Sequence, residues 1–139
     1  ESLNVRILDN PKFSSFEALA LEADIFILLP GLEIDQGVKI GREVFDNLGK
    51  SGAFICLGSY DCVDEQDLLV ALSNKSIMGA AMDTYAQLDD VPEGLLSMDN
   101  VVLTPHVASM TLDTFHDIGH SLIEAIDVYF KENQKSGHQ

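Results

Sequence analysis

Five apolar runs of strand length, at residues 5–8, 25–29, 53–57, 77–82 and 101–104, alternate with segments of helical period, and this alternation predicts an α/β fold. The last four runs are continuous in hydrophobicity rather than alternating, as in parallel strands covered by helices on both faces. Between them, residues 14–22 space their apolar side chains helically behind a Ser14-Ser15 cap, and residues 42–48 form a short helix stopped by Gly49. Asp64 is placed to cap a helix running through Leu72, with Leu68, Leu69, Ala71 and Leu72 toward the sheet. The longest helix is expected from about Thr111 to Lys131, with Phe115, Ile118, Leu122, Ile123, Ile126 and Tyr129 on one stripe. Residues 132–139 are expected to fray.

A length of 139 residues suits one domain with one core and is too short for a two-domain enzyme, so a single domain over 1–139 is expected. The 23 acidic side chains against 8 Lys and Arg give a net charge of -15, which repels nucleic acid and anionic lipid surfaces. No run approaches the roughly 20 apolar residues of a membrane span, and no basic segment followed by an apolar one opens the sequence. Cys56 and Cys62 make neither a CxxC pair nor a disulfide framework, so a reduced, cytoplasmic setting is expected.

Pro30 follows the second apolar run, Asp83 ends the fourth, and Pro105-His106 ends the fifth. All three fall at carboxyl ends of strands, the edge where parallel α/β sheets bind ligands.

Four segments in register carry a resemblance. Glu22-Ala23-Asp24-Ile25 leading to Leu29-Pro30, Gly52-Ala53-Phe54-Ile55 followed by Val63-Asp64-Glu65, Gly79-Ala80-Ala81-Met82-Asp83-Thr84-Tyr85, and the run from Asn100 through Thr104-Pro105-His106-Val107-Ala108-Ser109 resemble D-2-hydroxyacid dehydrogenases. The likeness extends from about residue 17 to about residue 130 and matches the C-terminal half of that family's NAD-binding domain. It implies a partial Rossmann-like, doubly wound parallel sheet with helices on both faces, lacking the first βαβ unit. It also implies an NAD or NADP cofactor held by Pro30, Leu57, Gly58, Asp83 and Ala108, with Asp83 at the nicotinamide amide. His106 matches the histidine that protonates the carbonyl oxygen of a 2-oxoacid.

Other family positions are changed. The arginine that binds the substrate carboxylate corresponds to Ser59, and the glycine after it to Tyr60. A serine cannot replace a planar bidentate cation. The glutamate that orients the histidine falls on Leu88, or on Gln87 or Asp89 if the register shifts by one, and none is a glutamate. The GxGxxG turn that seats a pyrophosphate on a helix N-terminus is absent, since Gly31, Gly37 and Gly41 are too scattered. The resemblance therefore implies weak or absent cofactor binding by this chain and no hydride transfer from it in isolation. The alternative is a non-catalytic scaffold that covers its apolar surface by self-association or with a missing N-terminal half.

The remaining candidates have plain readings beside the sharp ones. Asp83 also suits a strand-terminal turn cap, and Tyr60 and Asp61 are either a new ligand contact or drift. Cys56 has no cation nearby in sequence and reads as a small buried residue. The acidic group Asp89, Asp90 and Glu93 reads as a solvated loop. The segment His116-Asp117-Ile118-Gly119-His120 approaches the HExxH zinc motif, but Asp117 is short and no third ligand is evident. It reads as part of an ordinary core-facing helix, with no metal expected.

Overall fold

A computed structural model describes residues 13–30, 39–58, 60–85 and 91–136, with side chains as far as Lys131. The strand expected at residues 5–8 lies outside the described residues. The chain divides into two units, Glu1–Pro105 and His106–Gln139. Each is taken by itself.

In the first unit the elements follow in the order α1 (Phe16–Glu22), β1 (Ile25–Leu28), α2 (Arg42–Leu48), β2 (Ala53–Cys56), a 3₁₀ turn (Tyr60–Cys62), α3 (Glu65–Ser73), β3 (Gly79–Met82), α4 (Glu93–Leu96) and β4 (Val101–Leu103). The helix starts obey local chemistry. Ser15 Oγ accepts from the Ala18 amide at 3.2 Å, and Asp64 Oδ1 accepts from the Asp67 amide at 3.0 Å, each satisfying an orphan N–H of a first turn. Gly49 closes α2 at φ 74°, a left-handed conformation that favours glycine. The short turn of α4 and the 3₁₀ turn carry too little periodicity to be legible in sequence.

The four strands are parallel and lie in sequence order, β1-β2-β3-β4. Register aligns Phe26 with Phe54 and Ala80, and Leu28 with Cys56 and Met82. These six side chains are buried on one face of the sheet, the face against which α1, α2 and α3 pack side by side. Right-handed crossovers between successive neighbours place their helices on one side, which accounts for this arrangement. An aromatic cluster anchors the layer: the Phe45 ring meets Phe54 edge-on at 5.4 Å, Phe26 lies 5.9 Å from Phe54, and Phe16 stands edge-on to Phe26 at 6.0 Å. Leu68, Ala71 and Leu72 of α3 are buried as expected.

The α/β, Rossmann-like parallel sheet read from the sequence is the observed fold. β1, β2 and β3 are nevertheless buried alternately, and Ile25 and Ile27 are exposed. On that second face Ile27, Ile55, Ala81 and Val102 form one row across all four strands. The second helical layer of the sequence reading is not among the described residues of this unit.

An additional tie joins the segments entering α2 and α3. Ile40 bridges Val63 in parallel fashion, its amide donating to the Cys62 carbonyl at 2.6 Å and its carbonyl accepting from the Asp64 amide at 2.9 Å. The Ile40 side chain is wholly buried. This tie fixes both helix starts beside the carboxyl edge of the sheet.

The second unit contains a tight turn and α5 (Leu112–Ser136). Thr111 opens the helix, its Oγ1 accepting from the Thr114 amide at 3.1 Å. The helix runs past the expected end near Lys131 because Lys131 through Ser136 contains no breaker before Gly137. Phe115, Ile118, Leu122, Ile123, Ile126 and Tyr129 are exposed, and the Tyr129 ring meets that of Phe130 edge-on at 5.6 Å. Among the described residues no helix is long and apolar enough to cross a membrane.

Candidate functional site at the carboxyl edge of the sheet

The strand ends of the first unit form a continuous polar ledge. The parallel ladder extends one step beyond each strand: the Leu57 amide donates to the Leu28 carbonyl at 2.9 Å, that of Asp83 to the Cys56 carbonyl at 2.9 Å, and that of Thr104 to the Met82 carbonyl at 3.0 Å. Side chains of the next residues are thereby aligned along one edge.

Pro30 and Gly58 meet at the β1 and β2 exits. A Cβ built on Gly58 would stand 2.5 Å from Pro30 Cα and 2.6 Å from Pro30 N, so only glycine permits this approach. Pro30 is exposed, Leu57 is half-buried and Gly58 is buried, which leaves the proline ring and Leu57 as the parts of this junction that a ligand could touch.

Asp83 is 3% exposed, and its Oδ1 accepts a 2.6 Å hydrogen bond from Thr104 Oγ1 across the β3 and β4 exits. Beside it the Tyr85 hydroxyl donates to the Met82 carbonyl at 2.9 Å and to the Thr104 carbonyl at 3.0 Å. Burial pushes the Tyr85 phenol up from its ordinary range, keeping it a neutral donor. The carboxylate is thus clamped by neighbouring strand ends. Both sequence readings of Asp83, as cofactor contact and as structural group, fall on one side chain that a hydroxyl holds in place. Thr104 and Tyr85 were not singled out from sequence, although both lie in the segments quoted for the resemblance.

Cys56 lies beneath this ledge, its Sγ 3.2 Å from the Gly58 carbonyl oxygen and 3.4 Å from Thr84 Oγ1. Burial raises the Cys56 thiol above its usual range, and burial likewise raises Cys62. Neither therefore has the depressed pKa of a reactive thiolate.

The loop after β2 holds Ser59, the position to which the resemblance assigns the family's arginine. Ser59 itself lies outside the described residues, as do Gln87, Leu88, Asp89 and Asp90. Tyr60 is turned into the core, and its hydroxyl donates to Glu65 Oε2 at 2.8 Å. Burial first, then the bond to Glu65 and its negative charge, push the Tyr60 phenol far above its ordinary value. The Tyr60 ring is consequently a structural plug. Asp61 is exposed, and its carbonyl accepts from Lys39 Nζ at 2.6 Å.

The start of α2 is met by a side chain of α3. Gly41 gives α2 no side-chain cap, and the Arg42 amide instead donates to Asp67 Oδ2 at 2.9 Å. The N-terminus of this helix therefore already faces a carboxylate of α3.

His106 and Ala108 belong to the second unit. His106 adopts φ 55°, the left-handed region, directly after Pro105, and both it and Ala108 are exposed in the turn before α5. In that turn the Met110 amide donates to the Val107 carbonyl at 2.9 Å.

Comparison with known proteins bears on this ledge. Residues 5–108 match the model of the D-isomer specific 2-hydroxyacid dehydrogenase NAD-binding domain. Glyoxylate/hydroxypyruvate reductase A of Arabidopsis thaliana is 36% identical over 81% of this chain, and hydroxyphenylpyruvate reductase of Plectranthus scutellarioides is 34% identical over 85%. The alignments span only 36% and 38% of those relatives. Among solved structures, the NADPH-dependent glyoxylate/hydroxypyruvate reductase of Sinorhizobium meliloti, in complex with NADP and malonate, superposes with a TM-score of 0.70 at 31% identity, covering 88% of this chain and 39% of that one. The chain belongs to the D-isomer specific 2-hydroxyacid dehydrogenase family, and what it carries is part of that family's NAD-binding domain.

Proposed function

We propose that this chain supplies the nicotinamide side of a dinucleotide cleft, binds NAD or NADP only weakly, and does not transfer hydride on its own. The Asp83–Thr104 clamp carries the first part of this reading: a buried carboxylate at adjoining strand ends, fixed by a hydroxyl, suits an amide N–H donor such as a carboxamide. Pro30 and Leu57 would pack against the ring, and Gly58 permits the close approach of the two loops. When bound, NAD(P) would supply a hydride donor or acceptor.

Two features support weak binding. The sequence contains no GxGxxG turn to seat the pyrophosphate, and among the described residues the α2 N-terminus already faces Asp67. With Ser59 at the arginine position and Tyr60 plugged against Glu65, the loop after β2 has lost the guanidinium that meets a substrate carboxylate in the family. His106 would remain as a proton carrier without that partner. NADH titration followed by calorimetry and nicotinamide fluorescence is expected to give a dissociation constant no tighter than about millimolar, a free energy of roughly 4 kcal/mol. Micromolar binding would overturn the weak-binding reading, and no signal at all would remove the cofactor.

The second reading is a non-catalytic interaction module. It is favoured by the exposed ends of the apolar row, Ile27 and Val102, and by the apolar stripe of α5. Self-association or an N-terminal half supplied by another segment would cover such surface. Sedimentation that returns a monomer at high concentration would count against self-association.

A further inference from the structure

The two histidines of α5, His116 and His120, stand one helical turn apart. At 100° per residue, Asp113, His116, Asp117, His120 and Glu124 fall on one arc of the helix, opposite the arc of Phe115, Ile118, Leu122 and Ile126. Both histidines are exposed, so neither is a core residue in the structure. Their rings lie side by side one turn apart, with centroids 4.7 Å apart and planes inclined at 56°.

The geometry points to a chelating pair: His116 and His120 form a bidentate imidazole site for a late first-row divalent cation such as Ni²⁺, Cu²⁺ or Zn²⁺. Two neutral imidazoles at i and i+4 present ring nitrogens to one ion from a backbone already fixed in the helix, so the second bond forms without further ordering of the chain. Nitrogen donors select late transition ions over Mg²⁺ and Ca²⁺, which prefer oxygen. Among the described residues no three metal-ligating side chains are gathered at one point, so the protein offers two ligands and water fills the other positions. Asp113 and Glu124 flank the pair on the same arc and, with a chain charge of -15, raise the local cation concentration. This site is independent of the dinucleotide reading, and it differs from a zinc-hydrolase site, because Asp117 is too short to act as the glutamate of that motif and no third ligand is gathered there among the described residues.

The test uses the untagged full chain. Calorimetric titration with NiCl₂ or ZnCl₂ is expected to show one ion per chain, released on acidification as protons compete for the imidazole nitrogens. His116→Gln and His120→Gln should each weaken binding by about 100-fold, since each removes the chelate. Circular dichroism of both variants checks that α5 stays helical, and ring-proton NMR of the unaltered chain should show both His116 and His120 perturbed by Zn²⁺. The proposal is overturned if either variant binds as tightly as the parent, if Mg²⁺ competes on equal terms, or if the two ring signals do not respond.

Discussion

Phe54→Ala should lower the unfolding free energy by about 3–5 kcal/mol, the usual range for emptying a buried phenylalanine site. Phe54 is wholly buried at the middle of β2 and touches the rings of both Phe26 and Phe45, so its removal opens a void that three rigid elements must collapse to fill. Domains of this size hold roughly 5–15 kcal/mol in total, and such a loss would consume much of it. Urea unfolding followed by circular dichroism would report it as a lower midpoint with an unchanged slope. A loss under about 1 kcal/mol would mean that the aromatic cluster is not the anchor of this layer.

Gly58→Ala is expected to be the most damaging small change at the ligand edge. The added methyl would stand 2.5 Å from Pro30 Cα and 2.7 Å from Pro30 Cβ, and because the obstacle includes backbone, no rotamer change relieves it. Forcing the β1 and β2 exits apart should cost about 1–3 kcal/mol and displace Leu57 with them. Gly119→Ala supplies the control. A Cβ there meets nothing within 4 Å, and on a helix the same substitution should stabilise by up to about 1 kcal/mol. Equal effects at the two sites in thermal unfolding would refute the close-approach argument.

Much of the sheet was legible because its signals are local. Ser15, Asp64 and Gly49 mark helix ends with their own side chains or lack of one, and the apolar runs coincide with β1 to β4 to within a residue or two. The exposure of Ile25 and Ile27 was not legible, because a continuous apolar run does not distinguish the two faces of its strand. The direction of Tyr60 also depended on the third dimension: a tyrosine in a ligand loop looks available until Glu65 is found beneath it. The same applies to the α2 N-terminus, where the carboxylate that meets the Arg42 amide comes from 25 residues away. For His116 and His120 the spacing was legible, while the approach of the two rings needed the structure. Their arc lies opposite Phe115, Ile118, Leu122 and Ile126 on a helical wheel.

The strand order carries a consequence for how such a sheet is assembled. Among the described residues each ladder, β1 with β2, β2 with β3 and β3 with β4, joins strands consecutive in sequence and is closed by a single crossover. Assembly can then proceed like a zipper, each β-α-β step templating the next, and a lesion near one end is felt there before it is felt elsewhere. In such a fold the binding edge can erode residue by residue while the architecture behind it persists.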